Sequence, residues 1–137
     1  MKKFEFIPHQ ADIAFRARGK NLEELFENAA LALVASAESV PLTTYHRKES
    51  KECRFHADSP EELLILFLNE IRYWLVAKNL LFTNILITIE TQKEFDLKLF
   101  AKVVPCKIRR EIKAVTYHGL RILQRKKVLS VCVTLDV

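Results

Sequence analysis

The sequence predicts an α+β fold: a single compact domain over residues 1–137, with a mostly antiparallel or mixed sheet of about six or more strands packed with two main helices, at about 21–37 and 60–79. Three observations predict it. Apolar residues recur at helical spacing in "NLEELFENAALALVASA" and in "PEELLILFLNEIRYWLVAKN". Most other apolar stretches alternate with polar residues, as half-buried strands do. The order is strand, helix, strand, helix and then a run of strands, which is not the regular alternation of a doubly wound sheet.

The elements follow in order. "ADIAFRARG" puts Ile13, Phe15 and Ala17 on one face and Asp12, Ala14, Arg16 and Arg18 on the other. Gly19 and Lys20 turn the chain. Asn21 then caps the first helix, with Glu24 three residues on as in a capping box. Leu22, Leu25, Phe26, Ala29, Leu33 and Val34 form its buried stripe. Pro41 follows in a loop, and "KECRFHA" is strand-like, with Cys53, Phe55 and Ala57 on one face. Ser59 caps the second helix, Pro60 fits its first position and Glu62 completes a second box. That helix is apolar on most sides and reads as the central one. Asn69 and Glu70 are a polar island on it that a buried hydrogen bond explains. "FTNILITIE" and "EFDLKLFAKVV" read as strands joined near Gln92 and Lys93, with Pro105 breaking the second. "EIKAVTYHGLRIL" and "KKVLSVCVTLDV" read as two more, joined by a turn at Arg125 to Lys127.

Composition narrows the function. A length of 137 residues with half of them apolar supports one core. The central helix is too interrupted for a membrane span, and the opening residues carry an acid and a proline where a signal peptide is apolar, so a cytoplasmic protein is expected. Cys53, Cys106 and Cys132 are odd in number and irregularly spaced, as reduced thiols are. Cys53 and His56 face opposite sides of their strand, which argues against zinc. Two glycines, Gly19 and Gly119, are too few for a phosphate-cradling loop. A nucleotide involved in the protein's work is therefore expected to be bound by a partner. The net charge of +5 gathers in "YHRKESK", "KIRREIK" and "LQRKK". These clusters suit RNA or an acidic partner, or are solvated strand edges.

The acids are read by parity. In the last strand Leu129, Val131, Val133 and Leu135 face the core, so Asp136 faces away, as Asp12 does in the first. If those two strands are neighbours, Asp12, Asp136 and the Val137 carboxylate converge and repel one another. A hard divalent cation, Ca²⁺, Mg²⁺ or Mn²⁺, would relieve that repulsion. The other reading is a turn-capping Asp12 and a terminus in solvent.

Several motifs carry a resemblance. "PHQADIAFRARGKNLEELFENAALAL", "LLILFLNEIRYWL", "EIKAVTYHGLRI" and the Asp-hydrophobic ending resemble, in order, the archease family. Gln10 departs from the family's usual Thr, and "FAKVVPCKIRRE" lacks a glycine-rich turn found in many members. The resemblance implies a non-catalytic protein cofactor of the GTP-dependent RNA ligase that joins tRNA halves. Such a cofactor promotes guanylylation of the ligase and its multiple turnover. It implies Asp12, Asp136 and the Val137 carboxylate as metal ligands and Lys113 as an assisting cation, the other reading of Lys113 being a surface strand lysine; His118, and after it His9, is a candidate polar contact beside the metal or an ordinary structural histidine. The ligase is then the partner and tRNA is met through it, with no membrane and no DNA. Two other readings stay open: a stand-alone metal-dependent phosphohydrolase, and an RNA-binding or chaperone-like module. The stretch 109–111 and the helix surface near Arg72 are candidate docking surfaces.

Overall fold

A computed structural model describes residues 1–8, 12–42, 48–117 and 119–137; His9, Gln10 and His118 lie outside the described residues. The strands are β1 (Phe4–Ile7), β2 (Ile13–Gly19), β3 (Val40–Pro41), β4 (Glu49–Ala57), β5 (Leu80–Glu90), β6 (Phe95–Lys107), β7 (Ala114–Thr116), β8 (Ile122–Arg125) and β9 (Val128–Asp136); the helices are α1 (Leu22–Ser36) and α2 (Pro60–Ala77). Two antiparallel sheets result. In the first, β1 pairs β2, β2 pairs β9, and β7 and β8 both pair the far edge of β9. In the second, β6 is central, with β5 on one side and β4 and β3 on the other.

The predicted helices form for the predicted reasons. The Asn21 side chain accepts from the Glu24 N–H at 2.8 Å, and the Ser59 hydroxyl accepts from the Glu62 N–H at 3.1 Å. In both caps the returning acid reaches one residue past the capping position: Glu24 accepts from the Lys20 N–H and Glu62 from the Asp58 N–H. Both helices touch both sheets and each other. One core therefore unites Phe15, Ala17, Val131, Val133 and Leu135 of the first sheet with Leu97, Leu99, Ala101 and Val103 of the second, through Phe26, Leu33, Leu64, Phe67 and Leu68. Each of the larger of these side chains contributes about 1.5–3 kcal/mol by leaving water. Phe26 and Phe67 stack across the helix pair with ring centroids 5.6 Å apart. Gly19 is required by space, since a Cβ there would lie 2.3 Å from the Leu25 nitrogen. Among the described residues no helix is long and apolar enough to cross a membrane.

Four expectations are corrected. Phe4–Ile7 forms β1, an edge strand that the sequence reading did not separate. Pro41 lies in the two-residue strand β3, opposite Cys106, not in a loop. Pro105 does not end its strand; β6 runs on to Lys107. It sits where the ladder needs only an acceptor, and its carbonyl takes the Leu42 N–H at 3.1 Å. The single strand expected over 111–123 is split into β7 and β8, because Gly119 at φ 71° and the Leu120 N–H to Tyr117 carbonyl bond turn the chain between them.

Candidate metal centre

The β2–β9 ladder places the predicted acids. Its registered pairs run from Gly19–Leu129 to Ile13–Leu135. One residue further along, Asp12 comes opposite Asp136. On the other side of β9, Asp136 is registered with Ala114, and the Lys113 N–H donates to the Asp136 carbonyl at 2.7 Å. Three strands thus bring Asp12, Asp136, Val137 and Lys113 to one end of one sheet. Asp136 and Lys113 are exposed, Asp12 is half-buried, and Val137 is half-buried against the core. Directly opposed residues have Cβ atoms about 4.5–5.5 Å apart, close enough for two carboxylates to share one ion.

Asp12 also lines a cleft of about 300 Å³ with Phe6, Ile7, Glu38 and Arg110. Arg110 is held there by its own bonds, its guanidinium to the Ser36 carbonyl at 3.2 Å and its N–H to the Ala37 carbonyl at 3.2 Å. Sequence reasoning placed Arg110 only on a docking surface and missed Glu38. Neither spacing nor parity joins the end of α1 to the start of β2.

A second group of possible ligands, also missed, lies across the second sheet. His56, Asp58 and Glu94 bring ligand atoms within 4.8 Å of one another. The His56 ring holds Asp96 at 2.7 Å through Nδ1 and Glu94 at 2.5 Å through Nε2. The hydrogen bond to Asp96 raises the His56 pKa, with Glu94 adding to it. An imidazolium with both N–H groups engaged has no lone pair for a metal, so the cation this cluster holds best is its own histidine.

The chain matches the Archease protein family (MTH1598/TM1083) over residues 4–137. The chain belongs to the archease family. It is 36% identical over 128 residues to protein archease of Pyrococcus abyssi, covering 89% of each chain. It is 32% identical to protein archease of Methanothermobacter thermautotrophicus, covering 100% of each. Among solved structures it is similar to the solution structure of Methanobacterium thermoautotrophicum protein 1598, with TM-score 0.74, 30% identity and full coverage of both chains. It is also similar to the crystal structure of a Thermotoga maritima archease described as a possible chaperone (TM-score 0.67, 27% identity, 96% and 94% coverage).

In this member of the archease family the motif "KAVTYHGL" contributes β7, and Tyr117 and Leu120 line a hollow with Glu61, Ile65 and Leu66 of α2. His118 of that motif is outside the described residues. The polar island on α2 is accounted for internally: Asn69 accepts from Arg72 Nε at 3.4 Å and Glu70 from the Cys53 thiol at 3.4 Å. Burial first, and Glu70 second, push the Cys53 thiol up to about 11. Arg72 donates to the Ile112 carbonyl at 3.3 Å, which ties α2 to the approach to β7.

Proposed function

We propose that the chain is a protein cofactor of a GTP-dependent tRNA-splicing RNA ligase, promoting its guanylylation and repeated turnover. The observation that supports this reading is the register itself: Ile13–Leu135 on one side of β9 and Ala114–Asp136 on the other gather Asp12, Asp136, Val137 and Lys113 at one tip. Family membership supplies the reaction class by resemblance.

Asp12, Asp136 and the main-chain oxygens of Val137 would hold a divalent cation. The donor set fits: hard oxygens carried by neighbouring strands suit Ca²⁺, Mg²⁺ or Mn²⁺ and not zinc. Such an ion, when bound, neutralises phosphate charge that builds up in nucleotidyl transfer. The chain's own residues do the rest. β9 fixes the spacing of the carboxylates through ladders on both its edges, and Lys113 adds positive charge beside them. The ligase supplies the nucleophile and the nucleotide site, so this chain needs neither a glycine-rich loop nor a nucleophile of its own. The tRNA ends that are joined are held by the ligase.

The test is guanylylation of the ligase from the same cell with labelled GTP and Mn²⁺, the chain being added below stoichiometry. Stimulation by the full chain, lost in an Asp12→Ala protein and in a truncation lacking residues 136–137, both folded by circular dichroism, is the expected result. Full stimulation by folded Asp12→Ala would sink the proposal. Mn²⁺-dependent phosphoester hydrolysis by the chain alone would replace it with an enzyme reading.

A further inference from the structure

We infer that the other end of the same ladder binds the phosphodiester backbone of single-stranded RNA, in a cleft formed by Arg16, Arg18, Arg125 and Lys126. The four cations border an open cleft of about 510 Å³ whose floor includes Val128 and Ser130. Arg16 and Arg18 come from β2, Arg125 from the end of β8 and Lys126 from the β8–β9 turn, so the cations flank β9 on both sides. Their side of the sheet is the one facing away from the core, since Phe15, Ala17, Val131 and Val133 take the inner positions.

Charge argues for an anion. Among the described residues the carboxylate that pairs with these cations is Glu5, which takes Arg18 at 2.6 Å and Arg16 at 3.5 Å through one oxygen. One acid against four bases leaves a strong positive surplus. Glu5 also holds the two guanidinium groups in place, and their flat forks match phosphate oxygens two at a time.

The hairpin adds a second, independent observation. Lys126 and Lys127 form its two-residue loop with φ of 49° and 65°, between the registered pair Arg125–Val128. Positive φ at both positions is the type I′ turn, which favours Asn-Gly. Two adjacent lysines there are unfavourable twice over, in backbone strain and in mutual repulsion. Such strain is a pointer to function, and here the turn carries Lys126 to the rim of the cleft that Arg16 and Arg18 also line.

Geometry selects a single strand. From β2 across β9 to β8 the cleft is about 10 Å wide, two strand spacings, which accommodates one sugar-phosphate backbone and not the two of a duplex. Arg16 and Arg18 are about 7 Å apart along β2, a spacing comparable to one nucleotide step of an extended strand.

The experiment is fluorescence anisotropy of a short labelled oligouridylate with the full chain alone, in EDTA, over a range of salt. No ligase or metal is present, so its outcome and that of the guanylylation test are separable. Four phosphate contacts predict that log Kd rises with log salt with a slope near 3, at about 0.7 per contact. Arg125→Ala with Lys126→Ala lowers that slope by about 1.4. Lys126→Asn with Lys127→Gly weakens binding several-fold while raising Tm, because the turn is relieved. Lys98→Ala with Lys102→Ala, on the outer face of the second sheet, leaves binding unchanged. Absence of salt-dependent binding, an unchanged slope in the Arg125–Lys126 variant, or equal loss in the Lys98–Lys102 control overturns the inference. Equally tight binding of polyglutamate through the same residues also overturns it, in favour of an acidic protein partner.

Discussion

The two ends of the β2–β9 ladder are built from the same two strands and carry opposite charge. Toward Ile13 and Leu135 the outward positions finish in Asp12 and Asp136; toward Gly19 and Leu129 they carry Arg16, Arg18 and, from the neighbouring hairpin, Arg125 and Lys126. The inner positions do not differ in kind. Phe15, Ala17, Val131, Val133 and Leu135 are all buried. The core is therefore indifferent to which end is which, and the alternating outer row alone separates an acidic tip from a basic one. Four to six residues of strand, about 13–20 Å, keep the two from neutralising each other.

The contrast can be broken from the core side. Leu135→Ala removes a fully buried side chain under the acidic tip and should cost about 2–5 kcal/mol in urea unfolding, with hydrogen exchange rising first along β7 and the Asp136 end. Uniform loosening along the whole ladder would mean that the ends are not separable units. A sharper cut leaves the core alone. Asp12→Asn keeps the shape and removes one charge, and should lower ligase stimulation by about tenfold or more without changing RNA affinity. At the opposite end, Asn28 of α1 is buried and donates to the Arg18 carbonyl at 2.6 Å. Asn28→Ala should cost about 1–3 kcal/mol and weaken RNA binding, while guanylylation stays as it was.

The smallest effect is expected away from both ends. His56 is exposed, and Asp96 raises its pKa above the ordinary value of 6.5. The protonated form is therefore favoured in the folded chain. Its stabilisation is fully present below about pH 6.5 and is lost as pH climbs through the raised folded value. The difference in Tm between the unchanged chain and His56→Gln should shrink from about pH 6 to about pH 8, and an NMR titration of Asp96→Asn should show the His56 pKa falling back. A difference that grows with pH would reverse the assignment of charge to the ring.

Much of this was legible in the sequence, and what was not has a common cause. The caps at Asn21 and Ser59, the helical stripes and the alternation of β2 and β9 are local patterns, and they formed as read. Parity placed Asp12 and Asp136 on the polar side of their strands, and the antiparallel ladder made those strands neighbours. Features that needed a partner's position were not legible. Pro105 reads as a breaker until the acceptor role of its carbonyl toward Leu42 is known. The division between β7 and β8 depends on a turn around Gly119, not on any loss of β-branched or apolar residues. His56 meets Asp96 only because β4 and β6 are registered at that pair. The cleft joins "FRAR" near the start of the chain to "QRKK" near its end, and no spacing in a linear string measures that distance.

β9 is hydrogen-bonded to β2, β7 and β8, yet it follows all of them in the chain. During synthesis the helices and the second sheet can assemble while β1 and β2 wait as a lone hairpin, which is marginal by itself. The first sheet closes when β9 leaves the ribosome and joins β7 and β8, made just before it, to β2, made more than a hundred residues earlier. Such non-local pairing is slow to form. The acidic tip and the basic cleft are both assembled across that strand, so a nascent chain carries neither, and both come into being in the same closing step.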